Sequence, residues 1–208
     1  MCNEIANGLT ISPLDQRDTP EAARILSLAM VSCPIHVAVF QGQGDEVRRL
    51  QGSMFARLLC HYPGLVFVGK LDGQIIGVLR MKSCSGGQAS YPEADEDALR
   101  DTASRLEYWQ TMWECHDPGE PHWHLGPVGV VPPLQGCGVG TALMARFCHE
   151  VDARQAAAYL ETDQSRSVRF YQRFGFQVVT EVDIFEVKNY FMWRPQQAGA
   201  RRGNEVGE

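Results

Sequence analysis

The sequence lacks the features that mark several large protein classes. Its 208 residues contain 19 Lys and Arg against 25 Asp and Glu, which gives a formal net charge of −6. Binding to nucleic acid depends on clustered basic side chains, so a nucleic-acid partner is not expected. The chain has no run of 18 apolar residues, and no basic segment followed by an apolar run opens it. We therefore expect no membrane segment and no signal peptide, and we predict a cytoplasmic protein.

The cysteines do not form the patterns of a disulfide framework. There are seven, at scattered positions, with no Cys-x-x-Cys pair and an odd total. We expect them to be reduced and mostly buried. Cys115, His116, His122 and His124 lie within ten residues of one another, which raises the question of a metal. Their spacing matches no standard zinc pattern, so no metal site is predicted.

The composition is that of an ordinary globular protein. Hydrophobic residues make up 44% and charged residues 21%, and the length suits one domain with a substantial core. We predict a single domain over residues 1–194. Residues 195–208 have no periodic apolar pattern, and we expect them to form a disordered tail.

The first part of the chain alternates helical and extended patterns. A strand is predicted over 9–14, and a helix begins near Thr19, with Thr19 as the cap and Pro20 in the first turn. Residues 32–44 read as a loop, and Asp45 opens a second helix. Strands over 64–70 and 74–82 are joined by Asp72-Gly73, a strong hairpin signal.

The most informative stretch runs from the apolar residues at 128–130 through a glycine-rich loop into a helix. Val139, Leu143, Phe147 and Val151 recur every four residues and predict one buried face. Before this helix lies the pattern Gln135-x-x-Gly138-x-Gly140. Glycines leave the N–H groups at the start of a helix accessible, and those donors with the helix dipole favour an anion such as a pyrophosphate. A single Gly-x-Gly would predict only a turn.

A second motif follows at a fixed distance. It comprises Leu160-Glu-Thr-Asp163 and then Phe170-Tyr-Gln-Arg-Phe-Gly-Phe176. Together with the glycine loop it resembles the GCN5-related N-acetyltransferases (GNAT family), closely over 64–194 and loosely over the first 60 residues. The resemblance implies an α/β fold. Its central sheet is mixed but mostly antiparallel, with splayed fourth and fifth strands, and helices flank it.

The same resemblance implies acetyl-CoA as the cosubstrate. The pantetheine arm is expected to pair with the backbone of Val128, Gly129 and Val130. The pyrophosphate is expected to accept N–H groups from the loop, namely those of Gln135, Gly136, Cys137, Gly138, Val139, Gly140 and Thr141. Ser167 stands where family members often carry an asparagine that contacts the CoA arm. Tyr171 corresponds to the family tyrosine that protonates the departing thiolate.

Counting back from Gln135, His124 falls where several family members carry a glutamate that acts as general base. An imidazole with its ordinary pKa of about 6.5 suits the removal of a proton from an amine. His122, two residues earlier on the same strand face, is the second candidate. The alternative is that His124 only packs beside Trp123.

The chain departs from the family pattern between the third and fourth strands. Residues 83–121 form an insertion with a helical pattern from the acidic segment at 92–97 to about Glu114. This insertion is either an extra helix packed on the outside, or a lid or dimerising element that shapes the substrate pocket. A homodimer is therefore one possible assembly.

The predicted function is transfer of an acetyl group from acetyl-CoA to a small amine by direct attack. Two alternatives stay open. One is a catalytically silent module that binds or senses acyl-CoA. The other is an acetyltransferase acting on protein N-termini or lysines. The identity of the amine does not follow from the sequence.

Overall fold

The computed structural model describes residues 5, 8–87, 90 and 99–197. These residues form seven strands, in chain order β1 (Thr10–Pro13), β2 (Leu65–Leu71), β3 (Gln74–Cys84), β4 (His122–Val130), β5 (Ala157–Thr162), β6 (Gln177–Ile184) and β7 (Val187–Arg194). The helices are α1 (Thr19–Met30), α2 (Pro34–Phe40), α3 (Asp45–His61), α4 (Thr102–Cys115), α5 (Val139–Ala153) and α6 (Ser165–Gln172). Short 3₁₀ turns lie at Gln16–Asp18 and Pro132–Leu134.

The strands form one sheet in the order β1-β2-β3-β4-β5-β7-β6. Every neighbouring pair is antiparallel except β4 with β5, which are parallel. The fold is therefore α/β with a mostly antiparallel sheet, as predicted. The β2–β3 hairpin turns at Asp72 and Gly73, both with positive φ (49° and 79°), as expected for a two-residue turn matched to the strand twist.

The parallel strands β4 and β5 stay together for only three residue pairs. His122 pairs with Ala157, Trp123 with Ala158, and His124 with Tyr159. Beyond His124, β4 continues beside β3 while β5 continues beside β7. A gap therefore opens in the middle of the sheet, and the predicted splay is confirmed.

Helices cover both faces of the sheet. On one face α5 buries its predicted stripe against the strands, with Leu143, Phe147 and Val151 fully buried. On the other face α1 and α3 pack over β2 and β3. The second face continues over β5 and β7, where α2 and α4 enclose the buried rings of Tyr159 and Phe191.

The close packing of α1 depends on Gly129 in β4. A Cβ at Gly129 would lie 2.9 Å from Ala29 Cβ and 3.1 Å from Leu26 Cδ2. Both distances are shorter than ordinary van der Waals contact, so a larger residue would push α1 away from the sheet.

Three sequence predictions about local structure need correction. The predicted loop at 32–44 contains the helix α2, which begins at Pro34. The predicted cap Thr19 lies inside α1, and Asp18 precedes it as the N-cap. In the insertion, α4 begins only at Thr102, after Asp101 caps it by accepting the Ser104 N–H at 2.9 Å. Residues 91–98, where the predicted helix started, lie outside the described residues.

The helix of the insertion, α4, packs against the rest of the domain. Arg105 of α4 donates through Nε to the Ala38 carbonyl at 3.0 Å, and its guanidinium lies 4.0 Å from the centre of the Phe185 ring. Trp113 Nε1 donates to Asn189 Oδ1 at 3.2 Å. These contacts fix α4 over α2, β6 and β7.

The cysteines and the predicted tail can be compared with the sequence predictions. Cys137 is disulfide-bonded, so the prediction of reduced cysteines is wrong at this position. Free thiols are carried by Cys33, Cys60, Cys84, Cys115 and Cys148. Of the predicted tail, residues 195–197 belong to no helix or strand, and 198–208 lie outside the described residues.

Within the described part of the chain, no single helix has the length and apolarity to cross a membrane. One pair meets the length and composition requirement only when taken together, Gln16–Met30 with Pro34–Phe40, and it is bent by 100°.

Candidate active site

The gap between β4 and β5 opens towards the glycine-rich loop that leads into α5. Gly136 and Gly138 both have positive φ (80° and 89°), a conformation that favours glycine, and an added Cβ at either would meet nothing within 4 Å. The loop surface at these residues is therefore open. Gly140 differs, because a Cβ there would lie 3.6 Å from the Phe170 ring.

The loop presents a row of N–H groups that donate to no acceptor in the part of the chain that the structure describes. Gln135 N–H donates to the Pro132 carbonyl at 3.2 Å, and Cys137 N–H donates to the Leu134 carbonyl at 3.3 Å. Five others have no acceptor among the described residues, those of Gly136, Gly138, Val139, Gly140 and Thr141. They are the orphan donors at the start of α5, where the helix dipole is positive. An anion at this point would satisfy them.

The end of β4 contributes backbone groups to the gap. Val131 N–H donates to the Ile76 carbonyl of β3 at 2.9 Å. Because backbone groups alternate between the two edges of a strand, those of Val128 and Val130 point away from β3 and towards the gap. The Val130 carbonyl accepts the Gln135 side chain at 3.2 Å. The backbone groups of Gly129 point towards β3, and the Cα of Gly129 faces α1.

Ser167 and Tyr171 lie one turn apart on α6, a spacing that puts them on the same face of that helix. The Tyr171 ring packs edge-on against Phe170 and Phe176, at 5.3 Å and 6.2 Å between ring centres. Its hydroxyl has no hydrogen-bond partner in the described part of the chain. Burial raises the pKa of Tyr171, and the nearby Cys33 and Asp163 raise it further. The hydroxyl therefore holds its proton firmly.

Asp163 and Cys33 join α2 to this site. Asp163 Oδ2 accepts the N–H of Ile35, in the first turn of α2, at 2.7 Å. Cys33 precedes that helix and accepts from Gln164 Nε2 at 3.1 Å. Burial, together with Asp163, raises the pKa of the Cys33 thiol to about 12. The start of α2 is thus held against the end of β5, close to Tyr171.

His124 forms a buried pair with Glu161, the residue that follows Leu160 on β5. His124 Nε2 lies 2.7 Å from Glu161 Oε2, and the Glu161 side chain is only 3% exposed. Burial alone would lower the pKa of His124, but the Glu161 carboxylate and the Cys84 thiol raise it to about 9. The sequence analysis expected the ordinary value of about 6.5, and the structure corrects this. At neutral pH the pair holds a proton.

His122 has a fully enclosed side chain, and it shares the Cys84 thiol with His124. Its Nδ1 lies 2.8 Å from the Glu120 carbonyl, and its Nε2 lies 3.2 Å from Asp117 Oδ1. Burial lowers the pKa of His122, yet Asp117, Cys84 and the Glu120 carbonyl together raise it to about 10. Cys84, at the end of β3, is paired in register with His122.

Several of these residues were missed by the sequence analysis. Glu161 and Asp163 belong to the motif Leu160-Glu-Thr-Asp163, but no role was assigned to them. A signal existed, because two acidic residues at the end of an apolar strand require partners if they are buried. Cys84 and Asp117 carried no local signal, since only the pairing of β3 with β4 and the folding of the insertion bring them to His122.

A protein-family model matches most of the chain. The model for the acetyltransferase (GNAT) family matches residues 38–176, a range that contains the splayed strands, the glycine loop and α6. The chain belongs to the GNAT acetyltransferase family.

Solved structures of other acetyltransferases share the fold. A protein described as histone acetyltransferase HPA2 and related acetyltransferase, from Corynebacterium glutamicum, has a TM-score of 0.67 and 21% identity, covering 92% of this chain and 98% of that one. The ribosomal-protein-S18-alanine N-acetyltransferase of Escherichia coli gives 0.56 and 17%, covering 93% and 97%. A GNAT family acetyltransferase from Brucella melitensis, solved in complex with acetyl-CoA, gives 0.53 and 18%, covering 91% and 89%. At these identities the likeness of this GNAT chain to them is one of fold.

Proposed function

We propose that this chain transfers the acetyl group of acetyl-CoA to an amine by direct attack. The proposal rests on the row of five N–H groups at the start of α5 that have no acceptor among the described residues and lie at the mouth of the gap between β4 and β5. An extended ligand with an anionic middle and a narrow arm suits this arrangement, and membership of the family supports acetyl-CoA as that ligand.

The donor is bound in two parts in this proposal. The pyrophosphate accepts the loop N–H groups, whereas Gln135 and Cys137 shape the loop and use their own N–H groups within it. The pantetheine arm lies in the gap and pairs with Val128 and Val130, and Ser167 offers a hydroxyl to it. Gly129 contributes by letting α1 pack closely against β4.

The chemistry then needs one proton removed and one delivered. The amine nitrogen attacks the acetyl carbonyl carbon, the bond from carbon to sulfur breaks, and the CoA thiolate leaves. The neutral form of His124, held by Glu161, accepts the proton that the amine loses, and because the pKa of His124 is about 9 the share of this form increases as the pH rises. Tyr171 is the proposed proton donor to the departing sulfur, and its hydroxyl is available for this because burial raises its pKa and keeps it protonated at neutral pH.

The acceptor in this proposal is a small amine that reaches the gap from the side of α2. Glu161 and Asp163 lie there, and carboxylates favour a cationic substrate. A cytoplasmic location and a homodimer stay predictions from the sequence.

The test measures thiol release from acetyl-CoA with a panel of amines, followed by mass analysis of the products. The panel includes peptides with a free N-terminus, because one structural neighbour is a ribosomal-protein N-acetyltransferase. We expect at least one amine to gain an acetyl group. Binding of acetyl-CoA with no release for any amine would instead favour the silent binding module.

Two variants test the proton-exchanging pair. His124→Ala and Glu161→Gln should each lower kcat/KM by about 10² to 10⁴-fold, the usual contribution of a positioned general base. Imidazole added to His124→Ala should restore part of the rate. His149→Ala is the control, since His149 is exposed on α5. An unchanged rate in His124→Ala would remove the pair from the mechanism.

A further inference from the structure

Four side chains with metal-binding groups converge at the start of β4, beside the proposed active site. Cys84 Sγ, a carboxylate oxygen of Asp117 and a ring nitrogen of His124 all lie within 4.8 Å of one another. His122 Nε2 lies 3.2 Å from Asp117 Oδ1 and adds a fourth group. The set comes from β3, β4 and the loop that follows α4.

The surroundings of the His122 ring show that the cluster is suited to hold a positive charge. A carbonyl only accepts hydrogen bonds, so Nδ1 donates to the Glu120 carbonyl at 2.8 Å. The other ring nitrogen, Nε2, is buried with the side chain 0% exposed, and it lies 3.2 Å from Asp117 Oδ1. Two buried groups of this kind approach so closely only with a positive charge between them, which is either a proton on Nε2 or a metal ion in its place.

His124 and His122 each have the hydrogen-bond partner that metal-binding histidines usually have. Histidines that bind metals usually donate their other ring N–H to a carboxylate or a carbonyl, which fixes the ring and its tautomer. Glu161 gives His124 such a partner at 2.7 Å, and Glu120 does the same for His122. Each ring is therefore fixed by a hydrogen bond from one nitrogen, which leaves the other nitrogen to face the cluster.

The sequence analysis predicted no metal site, because Cys115, His116, His122 and His124 match no zinc spacing. Two of these four residues face elsewhere in the structure: Cys115 Sγ donates to the Ser90 carbonyl at 3.1 Å, and His116 Nδ1 lies 2.7 Å from the Met112 carbonyl. Cys84 and Asp117 take their places. No spacing rule would find this set, because its members span residues 84–124.

We propose that Cys84, Asp117, His122 and His124 bind one divalent ion of the Zn²⁺ class. One thiolate, two imidazoles and one carboxylate are the ligand types that Zn²⁺ takes in tetrahedral sites, whereas Ca²⁺ and Mg²⁺ require oxygen ligands. The ion lies on the acceptor side of the sheet, next to the pair assigned to proton exchange.

A consequence follows that rests on the proposed function. An ion bound to His124 occupies the ring nitrogen and fixes the ring, so that His124 can no longer accept the proton of the amine substrate. The ion therefore inhibits acetyl transfer, and its removal restores the rate.

The experiment uses the whole chain, freed of metal with a chelator. Equilibrium dialysis with Zn²⁺ should give one ion per chain, and Co²⁺ should give the absorption of a thiolate-to-metal bond. Cys84→Ser should abolish the Co²⁺ signal, and Asp117→Asn should weaken Zn²⁺ binding at least tenfold. Cys60→Ser is the matched control, because Cys60 is an exposed free thiol that offers a surface site. Circular dichroism checks that each variant is folded.

The outcomes separate this inference from the proposed function. No stoichiometric binding, or binding lost in Cys60→Ser and kept in Cys84→Ser, would overturn the metal site. If Zn²⁺ binds and the Cys84→Ser result holds, the site stands even when no amine is acetylated, and only the proposed function fails. Where transfer is active, Zn²⁺ should slow the wild type at least tenfold and a chelator should reverse this. Binding without any slowing would overturn the inhibitory consequence.

Discussion

Tyr171 is the residue that delivers a proton to the departing thiolate in the proposed chemistry. It lies on α6 with its ring between Phe170 and Phe176, and its hydroxyl finds no partner among the described residues. A buried tyrosine that serves only the core usually satisfies its hydroxyl with a hydrogen bond. The open hydroxyl next to the gap between β4 and β5 therefore favours a role towards a ligand.

Replacing Tyr171 by Phe tests this role. We expect kcat to fall about 10²-fold or more, with little change in the affinity for acetyl-CoA, because the hydroxyl acts on the departing thiolate and not on the bound substrate. Steady-state kinetics and calorimetry give the two values. Tyr62→Phe, at a tyrosine that is 53% exposed, is the control. Equal kcat values for wild type and Tyr171→Phe would assign Tyr171 to the core.

Cys33 lies close to the same hydroxyl, where a reactive thiolate would compete with the amine for the acetyl group. Its thiol has a pKa of about 12, raised by burial and by Asp163, so at pH 8 only roughly one molecule in 10⁴ carries the reactive thiolate. Iodoacetamide should therefore label Cys33 far more slowly than the exposed Cys60, and the rate should rise with pH towards 12. Peptide mass spectrometry measures both sites. Comparable labelling at pH 8 would contradict the raised pKa of Cys33.

At the scale of single residues, the sequence allowed candidate site residues to be proposed only where they lie in recognisable motifs. Gly138 and Tyr171 could be named because each belongs to a short pattern with fixed spacing. Glu161 could not be paired with His124, because 37 residues separate them and only the register of β4 with β5 brings them together. The pKa of His124 depends on that contact, so the sequence-based value was wrong.

At the scale of elements, the strongest predictions came from periodic patterns. The stripe on α5 and the Asp72-Gly73 hairpin are set by neighbours in sequence, and both are confirmed. The helix α2 was missed because it has only seven residues and its N-cap, Cys33, makes no side-chain cap bond. It is held in place by the bond from Ile35 to Asp163, a contact distant in sequence.

The contact between α1 and β4 makes a prediction about stability. Gly129→Ala should lower the free energy of unfolding by about 1–3 kcal/mol, because the new Cβ would overlap Ala29 and Leu26. Chemical denaturation measures the change. Gly119→Ala, where an added Cβ meets nothing within 4 Å, should leave stability within about 0.5 kcal/mol. Equal stability of the two variants would show that α1 adjusts without cost.

At the scale of the whole molecule, the site exists because two neighbouring strands separate. Leu125–Val130 remain paired with β3 and Leu160–Thr162 with β7, so each side of the gap is held by its own half of the sheet. The helices α5 and α6 meet at the mouth of the gap, where the Phe170 ring approaches Gly140. The sequence alone could not supply this geometry, since apolar patterns predict strands but not where their pairing stops. It came from the family resemblance.

The most direct test of the central claim is calorimetric titration of CoA into the wild type and two variants of one glycine. Gly138→Ala and Gly138→Asp share the strain of a side chain at φ 89°, and only the second adds a carboxylate among the free N–H groups. We expect one CoA per wild-type chain, weaker binding for Gly138→Ala, and no measurable binding for Gly138→Asp at unchanged secondary structure. Wild-type affinity in Gly138→Asp would contradict the assignment of this loop to the pyrophosphate, and with it the proposed function.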